Sequence, residues 1–150
     1  MGAVTERRIR RRPAEAGFTL LEVLVVLAIL GLIVTLVGPR VIDYFGRAKG
    51  DAARLQVESL ATALDFYRLD VGGYPTQEQG LKALIARPAD VAVWRGPYLK
   101  AQALPDDPWG RPYVYRRPSR HGLDYDLFSL GADATEGGEG EAADIANWRR

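Results

Sequence analysis

Phe18-Thr19-Leu20-Leu21-Glu22-Val23-Leu24-Val25-Val26-Leu27-Ala28-Ile29-Leu30-Gly31-Leu32-Ile33-Val34-Thr35-Leu36-Val37 is the stretch on which the fold turns. Sixteen of its twenty residues are apolar, and only Thr19, Glu22, Gly31 and Thr35 break the run. At about 1.5 Å per residue, twenty residues make roughly 30 Å of helix, the thickness of a bilayer core. A helix on the surface of a soluble domain shows a polar face, and this one has none. The stretch is therefore read as a membrane-spanning helix.

The residues on either side set its orientation. Before it stand Arg7, Arg8, Arg10, Arg11 and Arg12, against Glu6 and Glu15. Removing these five Arg and two Glu from totals of 20 bases and 19 acids leaves 15 bases and 17 acids for residues 18–150. The basic excess is thus local to the N-terminus. Positive charge is retained in the cytoplasm, so residues 38–150 are expected on the far side of the membrane. Residues 18–150 are net acidic, which argues against a nucleic-acid partner. A secretory signal peptide is disfavoured, because the apolar run is too long and no small-x-small cleavage site follows it.

Glu22 needs a reason to be where it is. A carboxylate within an apolar span costs about 2.5–3.5 kcal/mol at the centre and less near an edge. It is either an interfacial acid that reaches water or one neutralised by a partner cation within an assembly.

Beyond the span, Gly38-Pro39 weakens the helix and predicts a bend rather than an end. Val57, Leu60, Leu64, Tyr67 and Val71 then recur every three or four residues, one face of an amphipathic helix. The pattern predicts one long helix from about Phe18 to about Asp70, stopped by Gly72-Gly73. Thr76 is expected to cap a helix over Gln77–Ala86, with Leu81, Leu84 and Ile85 inward. Val114 and Tyr115 begin a strand. Leu123–Leu130 alternates Leu123, Tyr125 and Leu127 against Asp124, Asp126 and Phe128, which predicts a second strand paired through the turn Ser119–Gly122. The fold class is α+β, a long helix over a small antiparallel sheet. Trp94, Trp109 and Trp148 are expected to seal loops onto the helix.

No Cys is present and His121 is the single histidine. This excludes a disulfide scaffold, a thiol nucleophile and a multi-histidine metal site. There is no G-x-S-x-G element and no P-loop. The chain is therefore expected not to be an enzyme. From Asp124 to Asp144 run seven acids, Asp124, Asp126, Asp133, Glu136, Glu139, Glu141 and Asp144, with no Lys or Arg between Arg120 and Arg149. Such a loop is either solvated or holds a hard cation, for which oxygen ligands point to Ca²⁺.

Gly17-Phe18-Thr19-Leu20-Leu21-Glu22-Val23 resembles the processing site of type IV pilins and pseudopilins at every position. The resemblance implies cleavage by a prepilin peptidase between Gly17 and Phe18, N-methylation of Phe18, and loss of residues 1–17 as a leader. It implies that Glu22 pairs with the Phe18 α-amino group of a neighbouring subunit, and that the helix unwinds locally between Gly31 and Pro39 on assembly. The strings LDVGGYPTQEQGLKAL, WRGPYLK, LPDDPWGRPYVY, HGLDYDLFSLGAD and GGEGEAADIANW narrow the likeness to the major pseudopilins of type II secretion systems.

On that resemblance, residues 18–37 form the membrane and filament-core helix. Residues 38–71 form its amphipathic periplasmic half, and residues 72–150 a periplasmic α+β head. A structural Ca²⁺ would be held by Asp133 and Asp144 side chains and the Leu130 carbonyl, with further carbonyls from Gly137 to Ile145. Ala134 departs from the family, which usually has Gly after this Asp; a φ above zero there would strain it. The implied partners are further copies of the chain in a helical pseudopilus, minor pseudopilins, prepilin peptidase, an inner-membrane platform with its ATPase, and membrane lipid. The implied work is export of folded proteins through the outer membrane. A type IV pilus or competence pilin, and a single-span anchored periplasmic binding module, are the alternatives.

Overall fold

The computed structural model describes residues 18–100 and 103–148. Its backbone contacts divide after Arg40. One helix, α1, runs from Leu20 to Val71, 52 residues. It is entered by a cap that the apolar run had concealed. Thr19 Oγ1 accepts the Glu22 N–H at 3.2 Å, and Thr19 O accepts the Val23 N–H at 3.2 Å. Thr19-Leu20-Leu21-Glu22 thus has the spacing of a capping box, with an acid in the first turn where the helix dipole favours it. The helix therefore begins two residues later than the run of apolar side chains.

Leu20–Gly38 is 19 residues of apolar helix, long enough to cross a membrane. Every side chain from Leu20 to Val37 is exposed. Helical backbone continues through Gly38 and Pro39, and Thr35 bonds back to Gly31 O at 2.8 Å.

From Val41 onward the chain packs around one face of α1. Ala53, Val57, Leu60, Ala63, Leu64 and Tyr67 are buried, while Val71 is half-buried at its margin. The opposite face carries Leu55, Phe66 and Leu69 in the open. Gly72 ends the helix at φ +90°, its N–H bonded to Arg68 O at 2.8 Å. Only glycine enters that conformation without strain, so the stop is built in locally.

The segment after it is shorter than its apolar pattern predicts. Thr76 and Gln79 cap each other: Gln79 N–H to Thr76 Oγ1 at 3.3 Å, and Thr76 N–H to Gln79 Oε1 at 2.9 Å. A turn then leads into a 3-10 helix, Gly80–Leu84, in place of the α-helix expected over Gln77–Ala86. Gly80 has φ +53°, which breaks the right-handed path. Leu81, Ala83 and Leu84 are buried and Ile85 only half so.

The sheet has three antiparallel strands in the order β1-β2-β3: Val114–Arg116, Asp126–Ser129 and Ile145–Ala146. Val114 pairs with Phe128 and Arg116 with Asp126. Ser129 pairs with Ile145. The third strand is too short to show a period, and the sequence reading missed it. Asn147 extends it: its side-chain oxygen accepts the Leu127 N–H at 3.0 Å, and its N–H donates to Leu127 O at 3.0 Å.

As the central strand, β2 is buried on both faces, which overturns the simple alternation read for Leu123–Leu130. Leu123 lies before the strand and is exposed. Tyr125 and Leu127 join the core with Tyr113, Tyr115 and Leu84. Phe128 is covered from elsewhere, by the Arg116 guanidinium at 5.2 Å and the Trp148 ring at 5.1 Å. Trp148 thus seals the sheet and Trp94 the 3-10 helix, donating to Ala83 O at 2.9 Å. Of the three tryptophans expected against α1, Trp109 shares a cleft with its residues Gly46 to Arg54.

Asp126 is fully buried within this sheet. It accepts Ser119 Oγ–H at 2.5 Å and the Arg120 N–H at 2.9 Å. His121 Nδ1 lies 3.2 Å away, with its ring stacked on Trp148 at 3.8 Å. Burial opposes ionisation of this carboxyl, but the Ser119, Arg120 and His121 bonds outweigh it and hold its pKa below the ordinary value. A carboxyl depressed in the folded state contributes stability above the unfolded pKa and loses it as pH falls through the folded one. Asp126→Asn is expected to cost about 1.5–3 kcal/mol at pH 7. The gap to wild type should narrow as pH is lowered below about 4, measured by thermal unfolding across pH.

Candidate functional sites

The acidic loop joins β2 to β3. Its flanking residues Ser129 and Ile145 are register partners, so Leu130 and Asp144 enter and leave it side by side. Within it Ala132 N–H bonds Glu141 O at 3.0 Å and Asp144 N–H bonds Gly137 O at 3.1 Å. Asp144 Oδ2 accepts the Gly137 N–H at 2.8 Å. Asp133 Oδ1 accepts the Thr135 N–H at 3.1 Å, and bonds from Thr135 hold this exposed carboxyl below its usual pKa. Gly131, at φ +63°, lies so close to the returning chain that a Cβ there would sit 2.7 Å from Ala143 O.

The seven acids have separate fates. Glu136 pairs with Arg116 and, at 3.9 Å, with Arg120. Asp126 belongs to the sheet core, and Asp124 lies 3.6 Å from Arg68. Asp144 is different: its Oδ1 is buried and has no hydrogen-bond partner. An unsatisfied buried carboxylate oxygen is costly unless a cation or donor meets it. Among the described residues, no three His, Cys, Asp or Glu side chains converge. The residues that could hold a cation, Asp133, Asp144 and the loop's backbone carbonyls, offer oxygen donors alone. This all-oxygen donor set fits calcium.

Two buried polar residues beneath the loop escaped the sequence reading. Asp107 is 5% exposed and Ser129 fully buried, and Ser129 Oγ donates to Asp107 Oδ2 at 2.6 Å. Asp107 also accepts the Trp109 and Arg111 N–H groups, at 3.0 and 2.9 Å. Asp107-Pro108-Trp109-Gly110 is the residue pattern of such a turn, which was the available signal.

At the other end, Gly17 lies outside the described residues. Phe18 stands just ahead of α1 and is 81% exposed, and Glu22 is exposed in the first turn. Ser119, Asp126 and His121 do meet, but the aspartate sits between the other two and the hydroxyl donates to it. A nucleophilic serine requires histidine in the middle, so this group is structural.

The family model for type II secretion system (T2SS) protein G matches residues 40–148. The chain belongs to the type II secretion system protein G family. The prokaryotic N-terminal methylation motif matches residues 12–38, which marks this family member for prepilin-peptidase processing. Type II secretion system core protein G of Pseudomonas aeruginosa is 44% identical over 142 residues, covering 92% of this chain and 98% of that one. The core protein G of Vibrio cholerae is 43% identical over 143 residues, covering 93% and 96%. The crystal structure of the major pseudopilin from the type 2 secretion system of enterohaemorrhagic Escherichia coli aligns with a TM-score of 0.59 and 36% identity. It covers 69% of this chain and 90% of that one. As a protein G family member the chain is a pseudopilin, a membrane-anchored structural subunit of the secretion system.

Ala134, where the resemblance implies Gly, has an unusual backbone conformation. Ala134 is the one described non-glycine residue at positive φ, +64°. An L-residue held there costs roughly 1–2 kcal/mol, partly offset by the lower unfolded-state entropy of alanine relative to glycine. Ala134→Gly is therefore expected to raise stability by up to about 1 kcal/mol, read from denaturant unfolding.

Proposed function

We propose that the mature subunit begins at N-methylated Phe18, after prepilin peptidase cuts the Gly17–Phe18 bond, and acts by assembly rather than catalysis. The observation that carries this is the helix Leu20–Gly38, apolar around its whole circumference and unburied. Such a surface suits lipid before assembly and the like helices of other copies after it. A repeated heterologous contact with a non-closing rotation produces a filament. Glu22 supplies selectivity. Its carboxylate is disfavoured in an apolar setting until a cation, the Phe18 α-amino group of the neighbouring copy, offsets it.

The Arg tract holds the N-terminus in the cytoplasm and residues 38–150 in the periplasm. The pseudopilus grows there, driven by an inner-membrane platform and its ATPase and joined by minor pseudopilins. Its growth moves folded proteins out through the outer membrane. In intact cells, Glu22→Ala is expected to leave Phe18 processed, read by intact mass, while abolishing filaments. Normal filaments from this variant would remove the charge-pairing role.

Calcium belongs to the same reading. Asp133, Asp144 and the Leu130 carbonyl are the groups of this chain that would hold it. The ion supplies positive charge that offsets the loop's acids and adds its binding free energy to the folded state. The orphaned Asp144 Oδ1 supports this. Thermal unfolding of the full chain in detergent micelles is expected to shift upward with Ca²⁺ but not with Mg²⁺. At a hundredfold excess over Kd the gain is about 2.7 kcal/mol. Asp133→Ala should lose the shift. A wild-type chain that melts identically in Ca²⁺ and in chelator would end the calcium reading.

A further inference from the structure

Leu130 is a residue whose backbone, rather than its side chain, is at issue. The orientation of its carbonyl is not left to the loop. The Leu130 C=O and the Gly131 N–H belong to one peptide unit, planar and trans, so the two groups point in opposite directions. Whatever pins the N–H therefore aims the carbonyl. The Gly131 N–H is pinned by Ser129 Oγ at 3.2 Å.

Ser129 can serve as that acceptor because its own proton is committed. A hydroxyl has one hydrogen to give. Here it goes to Asp107 Oδ2 at 2.6 Å, leaving the lone pairs for Gly131. Asp107 is in turn fixed by the Trp109 and Arg111 N–H groups on Oδ1 and by the Arg111 guanidinium 3.8 Å from Oδ2. Both side chains are buried, so water does not compete for these bonds. On its other side Gly131 lies against the Ala142 and Ala143 carbonyls, which restrict drift of the turn.

We infer that Asp107, acting through Ser129, is a positioning residue for cation binding: the relay Asp107–Ser129–Gly131 N–H presets the Leu130 carbonyl, the backbone ligand of the calcium reading. The inference rests on the calcium reading proposed above. A buried carboxylate and hydroxyl at this place fix the direction of one peptide, which an apolar pair of the same volume does not do. Partners that orient a metal ligand without touching the metal alter affinity by about 10–100-fold when removed.

The test is Ca²⁺ titration calorimetry of the full chain in detergent micelles, paired with melting in chelator. Ser129→Ala is expected to raise the Kd for Ca²⁺ about 10–100-fold. Asp107→Asn should also raise it, because one amide oxygen cannot accept from Ser129 and from both turn N–H groups. Leu84→Ala, in the core away from the loop, serves as the control: it should lower the melting midpoint and leave the Kd unchanged. If Ser129→Ala does not fold in chelator, Asp107→Asn decides by the same affinity criterion. Wild-type affinity in both relay variants, with binding lost in Asp133→Ala, would overturn the relay and leave the calcium reading standing. No Ca²⁺ uptake by the wild-type chain would overturn the calcium reading, and the relay with it.

Discussion

Everything in the head rests on the contact between the Val57, Leu60, Leu64 and Tyr67 face of α1 and the side chains that close over it. Those side chains come from the 3-10 helix, from the strands and from the residues that lead into them: Leu81, Leu84, Tyr113, Tyr115, Tyr125 and Leu127. Burying each large side chain removes about 1.5–3 kcal/mol worth of apolar surface from water. A three-stranded sheet with strands of two to four residues has little independent stability and needs that helix face to exist. The same helix, twenty residues earlier, presents an apolar surface that nothing among the described residues covers. One element therefore carries two apolar surfaces: one satisfied by folding and one left for lipid or for other copies.

Carboxylates divide in the same way. Asp107 and Asp126 are buried and fully engaged, each accepting hydrogen bonds that hold a turn against the sheet. They act as internal caps for segments too short to hold themselves. Asp133 and Asp144 lie in the loop between β2 and β3, and Asp144 retains a buried oxygen without a partner. The contrast in hydrogen bonding, more than the number of acids, separates the fully engaged carboxylates from the one that keeps an unpartnered oxygen. Arg116 and Arg120 reinforce the division by taking Glu136 out of the group.

Some of this was legible in the residues. The membrane-length helix, its amphipathic continuation, the Gly72 stop and the pairing of Val114–Tyr115 with the strand after Gly122 all follow from periodicity and local conformational preference. The positive φ at Ala134 was not legible in the residues themselves; only the resemblance, which implies Gly at that position, pointed to it. What could not be read was set by distant contacts. The apolar spacing of Gln77–Ala86 suggested an α-helix because spacing does not reveal a positive φ at Gly80. The strand Ile145–Ala146 carries too few residues for a pattern, and exists because β2 offers it a hydrogen-bonding edge. Phe128 was placed with the polar side because its cover, Arg116 and Trp148, comes from 12 residues before it and 20 after it.

The sequence by itself determined where the chain meets the membrane, which face of α1 turns inward, and that an acid-rich loop lies near the C-terminus. Those properties depend on side-chain chemistry repeated along one local backbone path, so a one-dimensional reading reaches them. The tertiary structure decided which acids are structural, which strand is central, and how Ser129 and Asp107 come to lie under the loop. These depend on burial and on hydrogen bonds between residues some twenty positions apart, and only the folded chain brings such partners within 3 Å.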